Sequence, residues 1–197
     1  YWVTGQPEKE SKEAGITLFK WNNAEHPVEL MVKTGDKTAN LTFSLTSEGQ
    51  PTKWLVNSEA ASDEFFTGVF ERVVDGPQSK SWAGGITTGL DLRGEKMDVK
   101  LKPTVSAYAP FYLSSENFAV FVHGTWPGVF DFCKETDNIV QMAFEGPTLA
   151  FTVMKDENPA RLVQRHAMET GPSIVPPKWA LGPWRWRDEH FQNDKYF

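Results

Sequence analysis

Short segments in which apolar and polar residues alternate recur along the chain between positions 16 and 153. Successive side chains of a β-strand point to opposite faces, so this period of two predicts strands that each bury one face. Turn residues such as Gly35 and Asp36 separate the segments. Short strands in close succession, with no helix between them, are typical of an antiparallel β-sandwich. The predicted strands are 16–21, 28–33, 41–45, 97–101, 110–113, 118–122, 139–144 and 149–153.

One segment near the C-terminus has the pattern of a helix. Asn158 is a favoured N-cap residue, and Pro159 suits the first helical position. Gly171 is expected to end the helix. We therefore predict a helix over 158–170 that closes a sandwich domain spanning 1–171. The apolar residues expected on one face of the helix are Leu162, Val163 and Ala167.

Residues 172–197 are predicted to form a separate unit. The tandem prolines Pro176 and Pro177 hold the backbone extended, and the apolar run from Trp179 to Leu181 follows them. We interpret the segment as a linker and the first strand of a truncated (β/α)8 barrel, because functional side chains collect at the carboxyl ends of the buried strands of such barrels. The aromatic and charged residues gathered after this run are Trp184, Arg185, Trp186, Arg187, Asp188 and Glu189.

Composition excludes several classes of partner. The net charge is −6, and lysine and arginine are spread singly along the chain, so we expect no nucleic-acid partner. No apolar run approaches the length needed to cross a bilayer. The single cysteine, Cys133, excludes an internal disulfide framework and is interpreted as a small buried side chain. The chain starts at Tyr1 rather than methionine, so either a leader was removed or the numbering starts inside a longer protein. The cellular compartment is left open, with a secreted or periplasmic location favoured over a cytoplasmic one.

Five segments resemble motifs of glycoside hydrolase family 31, in the order in which that family keeps them. They are 66–72 (FTGVFER), 90–94 (LDLRG), 110–121 (PFYLSSENFAVF), 158–171 (NPARLVQRHAMETG) and 176–182 (PPKWALG). The first departs from the family pattern, because Phe70 stands where a second glycine is usual. Each motif is common by itself, whereas five in register are specific.

This resemblance implies a mainly β fold, in which a galactose-mutarotase-like antiparallel sandwich is followed by the start of the catalytic barrel of a retaining α-glycosidase. Such enzymes act on α-linked glucosides, xylosides and related sugars. In the family the catalytic pair is two aspartates on later barrel strands, about 5 Å apart. We therefore expect no catalytic residue in this chain and no cofactor. The expected partners are a carbohydrate substrate and the remainder of the barrel, with self-association left open.

Arg187 and Asp188 are the strongest candidates for substrate contact, because the resemblance places a sugar-contacting residue at this point. The carboxylate of Asp188 accepts hydrogen bonds from sugar hydroxyls or, alternatively, forms a structural ion pair with Arg187. Trp184 and Trp186 present flat rings on which a pyranose stacks, or they fill the floor of the barrel.

Arg93 and Glu95 complete the candidate substrate-binding residues. The resemblance puts them in a loop that reaches toward the sugar pocket, although Gly94 stands where some relatives have an aspartate. Structural pairing is the alternative. Trp126 and Pro127 are interpreted as part of a rigid turn, with the tryptophan packed in the core; an exposed ring there would instead contact sugar.

No metal, nucleophilic-serine or phosphate site is indicated by the sequence. The four histidines are far apart in sequence, and no Gly-x-Ser-x-Gly elbow or phosphate-binding glycine loop is present. Two hypotheses from different classes stay open: the amino-terminal part of an α-glycosidase, and a free-standing sandwich that binds carbohydrate without cleaving it. Within the family resemblance, transglycosylation and elimination are also open.

Overall fold

A computed structural model of the protein describes residues 5–22, 27–45, 53–70, 90–99, 108–171 and 174–182. These residues contain twelve β-strands, one α-helix, α1 (Pro159–Thr170), and a short 3-10 helix at Lys178–Leu181. The strands are β1 (Glu8–Glu13), β2 (Ile16–Trp21), β3 (Val28–Gly35), β4 (Thr38–Leu45), β5 (Lys53–Glu59), β6 (Phe66–Phe70), β7 (Glu95–Val99), β8 (Tyr108–Ser114), β9 (Phe118–His123), β10 (Gly128–Phe132), β11 (Ile139–Glu145) and β12 (Leu149–Lys155).

The strands form two antiparallel sheets that pack face to face. The larger sheet has the order β1-β2-β3-β4-β12-β9-β8-β6, and the smaller has the order β5-β11-β10-β7. One core cluster draws side chains from both sheets, with Tyr112, Val120 and Phe151 from the larger and Trp54, Phe130 and Phe144 from the smaller. The predicted antiparallel β-sandwich is confirmed, and each of the eight predicted strands coincides with an observed one as far as the described residues reach.

Aromatic rings fill the centre of this core. Tyr112 meets Phe132 edge-on, with ring centroids 5.1 Å apart and an interplanar angle of 85°. Phe130 meets Phe144 in the same way at 5.2 Å and 71°. Edge-to-face pairs of this kind add about 0.5–1.5 kcal/mol each beyond the burial of apolar area. The first pair joins the two sheets, because Tyr112 lies in the larger sheet and Phe132 in the smaller, whereas the second pair lies within the smaller sheet.

The central strands of the larger sheet are buried on their second face as well, because α1 lies across them. Alternation along these strands sends one set of side chains into the sandwich and the other set toward the helix. The outer cluster consists of Phe111 on β8, Ala119 on β9, Met154 on β12 and Leu162 on α1. A sheet buried on both faces has little polar surface, which explains the near-continuous apolar sequence of β8 and β9.

The predicted helix is confirmed, but its buried face differs from the prediction. Asn158 caps the helix, and its side-chain oxygen accepts a hydrogen bond from the Ala160 N–H at 3.0 Å. Leu162 is buried, whereas Val163 is 47 % exposed. His166 takes the next position on the buried face, and its ring stacks on that of Phe111 with the ring centroids 4.1 Å apart. The spacing of four between Leu162 and His166 places both on one helical face, and the adjacent position turns away from it.

Four of the twelve strands, β1, β5, β6 and β10, were not predicted from the sequence, and the first three of them lie at the edge of a sheet. β1 reads EKESKE and pairs with β2 alone, whereas β5 pairs with β11 alone. An edge strand has one open side and tolerates charged residues that block further pairing. The alternating signal on which the prediction relied is therefore weak or absent in such strands.

The extended backbone predicted at Trp179–Leu181 is wrong for these residues, which lie in the 3-10 helix. The Ala180 N–H donates to the Pro177 carbonyl at 2.9 Å, and the Gly182 N–H donates to the Trp179 carbonyl at 3.2 Å. In the described residues no strand pairs with this segment, and these two N–H groups bond to carbonyls three residues earlier. The predicted domain boundary at 171 and the barrel strand beyond 182 stay predictions.

Candidate functional site

Four of the six predicted substrate contacts lie outside the described residues. They are Trp184, Trp186, Arg187 and Asp188. Their roles as sugar contacts therefore stay predictions. The remaining two, Arg93 and Glu95, lie at one end of the sandwich, where their surroundings are defined.

The segment 90–94, which carries the family-like motif LDLRG, is held against the start of β6. The side chain of Asp91 accepts hydrogen bonds from the Phe66 N–H at 3.1 Å and from the Arg93 N–H at 2.9 Å. The Leu92 N–H donates to the Phe66 carbonyl at 2.8 Å, and the Gly94 N–H donates to the Phe132 carbonyl at 2.6 Å. The segment thus bridges β6 in the larger sheet and β10 in the smaller one.

The guanidinium of Arg93 bonds to three groups of the protein itself. Its Nη1 donates to the carbonyl of Ala61 at 3.0 Å and to the carbonyl of Glu64 at 2.8 Å. Its Nη2 donates to Oδ1 of Asn138 at 2.6 Å. The rigid fork of an arginine suits several acceptors at fixed positions. This arrangement ties the turn after β5 to the turn before β11.

A buried carboxylate, which sequence reasoning missed, lies beside this arginine. Glu64 is 3 % exposed, and its side chain accepts hydrogen bonds from the Ala61 N–H at 3.0 Å and from the hydroxyl of Ser114. A buried carboxylate is stable only where donors surround it. Its position directly before the aromatic pair Phe65-Phe66 carries no sequence signal of burial, because neighbours from distant strands create it.

Glu95 is separated from Arg93 by one glycine and begins β7. Its backbone N–H donates to the Leu92 carbonyl at 2.9 Å, and it stands opposite Phe132 in the β7–β10 pairing. The next residue, Lys96, lies 3.1 Å from the carboxylate of Glu135. Arg93 and Glu95 therefore belong to a polar, hydrogen-bonded end of the sandwich, and their contact with substrate stays a prediction.

Arg93→Ala is expected to lower the free energy of unfolding of the chain by about 2 kcal/mol, because the Ala61 and Glu64 carbonyls and the Asn138 side chain lose a charged donor. Arg93→Lys is expected to cost a similar amount, since a single ammonium cannot reach all three acceptors. Urea denaturation measures both changes.

Arg161→Ala, at an exposed position on α1, provides the control and should change stability by less than about 0.5 kcal/mol. A loss for Arg93→Ala as small as that of this control would contradict a structural role for the three hydrogen bonds of Arg93.

A polar cluster joins the end of α1 to the larger sheet. The hydroxyl of Thr152, a residue that is only 1 % exposed, lies 2.7 Å from Nε2 of His123, 2.6 Å from Oδ1 of Asn40 and 3.0 Å from Oε1 of Glu169. Burial lowers the pKa of His166, the neighbouring ring on α1. Nε2 of His123, the nitrogen that faces Thr152, also lies 3.3 Å from Oε1 of Glu169.

Threonine, histidine and glutamate are the residue types of a nucleophilic triad, but their geometry here differs from one. A triad needs the acid on the ring nitrogen opposite the one that faces the hydroxyl. Here Nε2 of His123 faces both partners, and the Thr152 hydroxyl is buried. The cluster therefore fastens the last turn of α1 to β9 and β12.

Trp126 corrects one interpretation of the sequence. Its side chain is 55 % exposed, so the expectation that it packs in the core is wrong. The turn itself is confirmed, because residues 124–127 connect β9 to β10. Trp126 packs against the backbone of Gly146, which follows β11, instead of entering the space between the sheets.

Within the described ranges, no group of three or more His, Cys, Asp or Glu side chains is placed to hold a metal ion. In the same part of the chain, none of the helices has the length and apolar character that crossing a membrane requires.

Solved structures with the same fold come from carbohydrate enzymes. A family 31 sulfoquinovosidase from E. rectale has a TM-score of 0.67 at 12 % identity over 88 % of this chain and 27 % of its own. The cycloalternan-forming enzyme of Listeria monocytogenes, in complex with a pentasaccharide substrate, has a TM-score of 0.71 at 12 % identity over 89 % of this chain and 23 % of its own. A family 31 dextranase from Flavobacterium johnsoniae has a TM-score of 0.57 at 16 % identity, over 92 % of this chain and 30 % of its own. At these identities the likeness concerns the fold.

Two α-xylosidases are similar to this chain in sequence. The α-xylosidase XylQ of Lactiplantibacillus pentosus is 33 % identical over 75 residues, which make up 38 % of this chain and 10 % of that protein. An α-xylosidase of Emericella nidulans is 31 % identical over 75 residues, again 38 % of this chain and 10 % of that protein. The resemblance to glycoside hydrolase family 31 is confirmed. A scan against protein-family models found no match.

The matched stretch is a small part of these family 31 relatives. It spans about a tenth of each α-xylosidase, and the shared fold covers 27 % of the sulfoquinovosidase and 30 % of the dextranase. The sandwich thus corresponds to one portion of proteins that are several times longer.

Proposed function

We propose that this chain is the non-catalytic amino-terminal part of a retaining α-glycosidase of family 31, acting on α-linked glucosides, xylosides or related sugars. The observation that carries the proposal is the match to two α-xylosidases, at 33 % and 31 % identity over 75 residues. The sulfoquinovosidase and the dextranase support the same assignment, because both are family 31 enzymes and a portion of each has the fold of this chain.

A partner domain is further supported by the apolar surface after α1. Ile174, Val175, Trp179 and Leu181 are each more than 70 % exposed, and Met168 at the end of the helix is 75 % exposed. Several large exposed apolar side chains within a short stretch of sequence are typical of an interaction site. We assign this surface to contact with the catalytic barrel.

The role of the sandwich in this proposal is positional. It packs beside the barrel, and residues near Arg93 and residues 184–188 help to shape the sugar pocket. The chemistry belongs to two carboxylates held about 5 Å apart, one a nucleophile that forms a glycosyl-enzyme and the other a general acid and base. The family supplies these two aspartates from later barrel strands, beyond residue 197.

The test compares the 197-residue chain with the full-length product of its gene, using nitrophenyl α-xyloside and α-glucoside as substrates. The chain is expected to give no turnover, because both the nucleophile and the proton donor are absent from it. The full-length protein is expected to hydrolyse at least one substrate and to release first a sugar of retained α configuration.

Turnover by the purified chain above a mock preparation contradicts the non-catalytic role. A full-length protein that cleaves neither substrate contradicts the α-glycosidase assignment. A full-length protein that forms longer glycosides or unsaturated sugars instead of free sugar points to a transglycosylase or a lyase of the same family.

A further inference from the structure

Trp126 lies in the turn between β9 and β10 and rests face-on against Gly146. A Cβ atom placed on Gly146 would lie 2.8 Å from Cδ1, 2.9 Å from Cγ and 2.9 Å from Nε1 of the indole. A point at almost the same distance from three consecutive ring atoms lies above the ring rather than in its plane. Trp126 nevertheless keeps 55 % of its surface exposed, which is consistent with an indole that is covered by Gly146 on one face.

The support beneath the ring is rigid. Gly146 is buried and has a φ of +116°, and any larger residue there would displace the indole. Pro127 restricts the backbone directly after Trp126, and its carbonyl accepts a hydrogen bond from the Glu145 N–H at 3.0 Å. The orientation of the ring is therefore set before any ligand binds, which reduces the entropy lost on binding.

Two charged residues lie at the end of the smaller sheet next to this platform. Glu145 directly precedes Gly146, and it stands opposite Lys53 in the β5–β11 pairing. Both residues are exposed. They bring a hydrogen-bond acceptor and a donor to the same end of the smaller sheet. The indole N–H is a further donor at the edge of the ring, and no hydrogen bond from it is found among the described residues.

We propose that Trp126 is a carbohydrate-binding platform for a neutral pyranose of gluco or xylo configuration. These sugars carry their ring hydroxyls in equatorial positions, so axial C–H groups form a flat apolar face that stacks on an aromatic ring. The equatorial hydroxyls then point outward, toward donors and acceptors at the rim. A ring with one apolar face and a polar edge suits such a ligand.

This binding site needs no catalytic residue and does not depend on the proposed glycosidase function. Absence of sugar binding at Trp126 would not contradict the assignment to an α-glycosidase. Likewise, an inactive full-length protein would not contradict sugar binding at Trp126. The two proposals can therefore fail separately.

The experiment is a titration of the 197-residue chain with maltopentaose and with a xyloglucan heptasaccharide, followed through the indole N–H signals in ¹H–¹⁵N NMR spectra. The Trp126 signal, assigned by comparison with Trp126→Phe, is expected to shift and to saturate with a Kd of about 1 mM. Trp126→Ala is expected to weaken binding about five- to tenfold, whereas Trp126→Phe keeps part of the affinity.

Trp179→Ala is the matched control. Trp179 is 80 % exposed but has no glycine backbone packed beneath its ring in the described residues, so its removal is expected to leave binding unchanged. Sedimentation of each variant at the same concentration detects any contact between copies of the chain.

The absence of binding to both sugars overturns the proposal, as does equal binding by Trp126→Ala and the unsubstituted chain. Loss of a dimer in Trp126→Ala with sugar binding unchanged also overturns it, and would assign this surface to self-association. If Trp126→Ala does not fold, the shift of the Trp126 signal and the affinity of Trp126→Phe decide the question.

Discussion

Gly68→Ala is expected to lower the free energy of unfolding of the chain by about 3 kcal/mol or more. Gly68 lies in β6 with a φ of +124°, which an L-residue rarely adopts. A Cβ atom there would also lie 2.7 Å from the carbonyl oxygen of Phe111 and 3.0 Å from Cα of Tyr112. Both contacts are backbone atoms of β8, whose Tyr112 is fixed in the core and whose Phe111 is fixed beneath α1. The strand therefore cannot move aside.

Gly94→Ala separates the two causes of this loss. Gly94 also has a positive φ, at +79°, but a Cβ atom there meets no heavy atom within 4 Å. Its substitution should cost only the backbone term, about 1 kcal/mol. Urea denaturation of both variants measures the difference, and equal losses at the two positions would contradict the close approach of β6 and β8.

Asp188→Ala is expected to lower kcat/KM of the full-length protein roughly ten- to a hundredfold, or about 1.5–3 kcal/mol. The family resemblance suggests that this carboxylate accepts hydrogen bonds from a sugar hydroxyl in a desolvated pocket, so its loss removes a charged acceptor. A side chain that faces a ligand supports little packing, and the melting temperature is expected to stay unchanged.

A structural ion pair between Asp188 and Arg187 predicts the reverse. In that case the substitution leaves Arg187 without its partner, the melting temperature falls, and kcat/KM of the folded protein barely changes. Both quantities are measured on the same protein. Glu116→Ala, at an exposed position in the turn between β8 and β9, is the control and should alter neither.

Local sequence features were enough to predict most of the sandwich. Strands such as β2, β9 and β12 carry their own alternation, and Asn158 and Pro159 mark the helix start by bonds made within one turn. The resemblance to family 31 likewise rests on short motifs whose order is legible in the chain. These features depend on neighbours in sequence, so no knowledge of the fold was needed to find them.

Features that depend on contacts between distant segments could not be predicted in this way. Arg93 bonds to Ala61, Glu64 and Asn138, which lie 32, 29 and 45 positions away in sequence. The pairing of β1 and β5 at the sheet edges arises from neighbouring strands, because their own composition gives little strand signal. The predicted strand at Trp179–Leu181 failed for the complementary reason, since an apolar run becomes a strand only where another strand pairs with it.

The sequence by itself thus determined the fold class, the closing helix and the family resemblance, because strand alternation, helix capping and motif order are local properties of the chain. The tertiary structure alone decided that Trp126 is exposed and that Val163 turns away from the sheet. An apolar side chain enters the core only if a neighbouring element leaves room for it. For Trp126 the backbone of Gly146 supplies a flat support outside the core, and no pattern in the sequence reveals that the two residues meet.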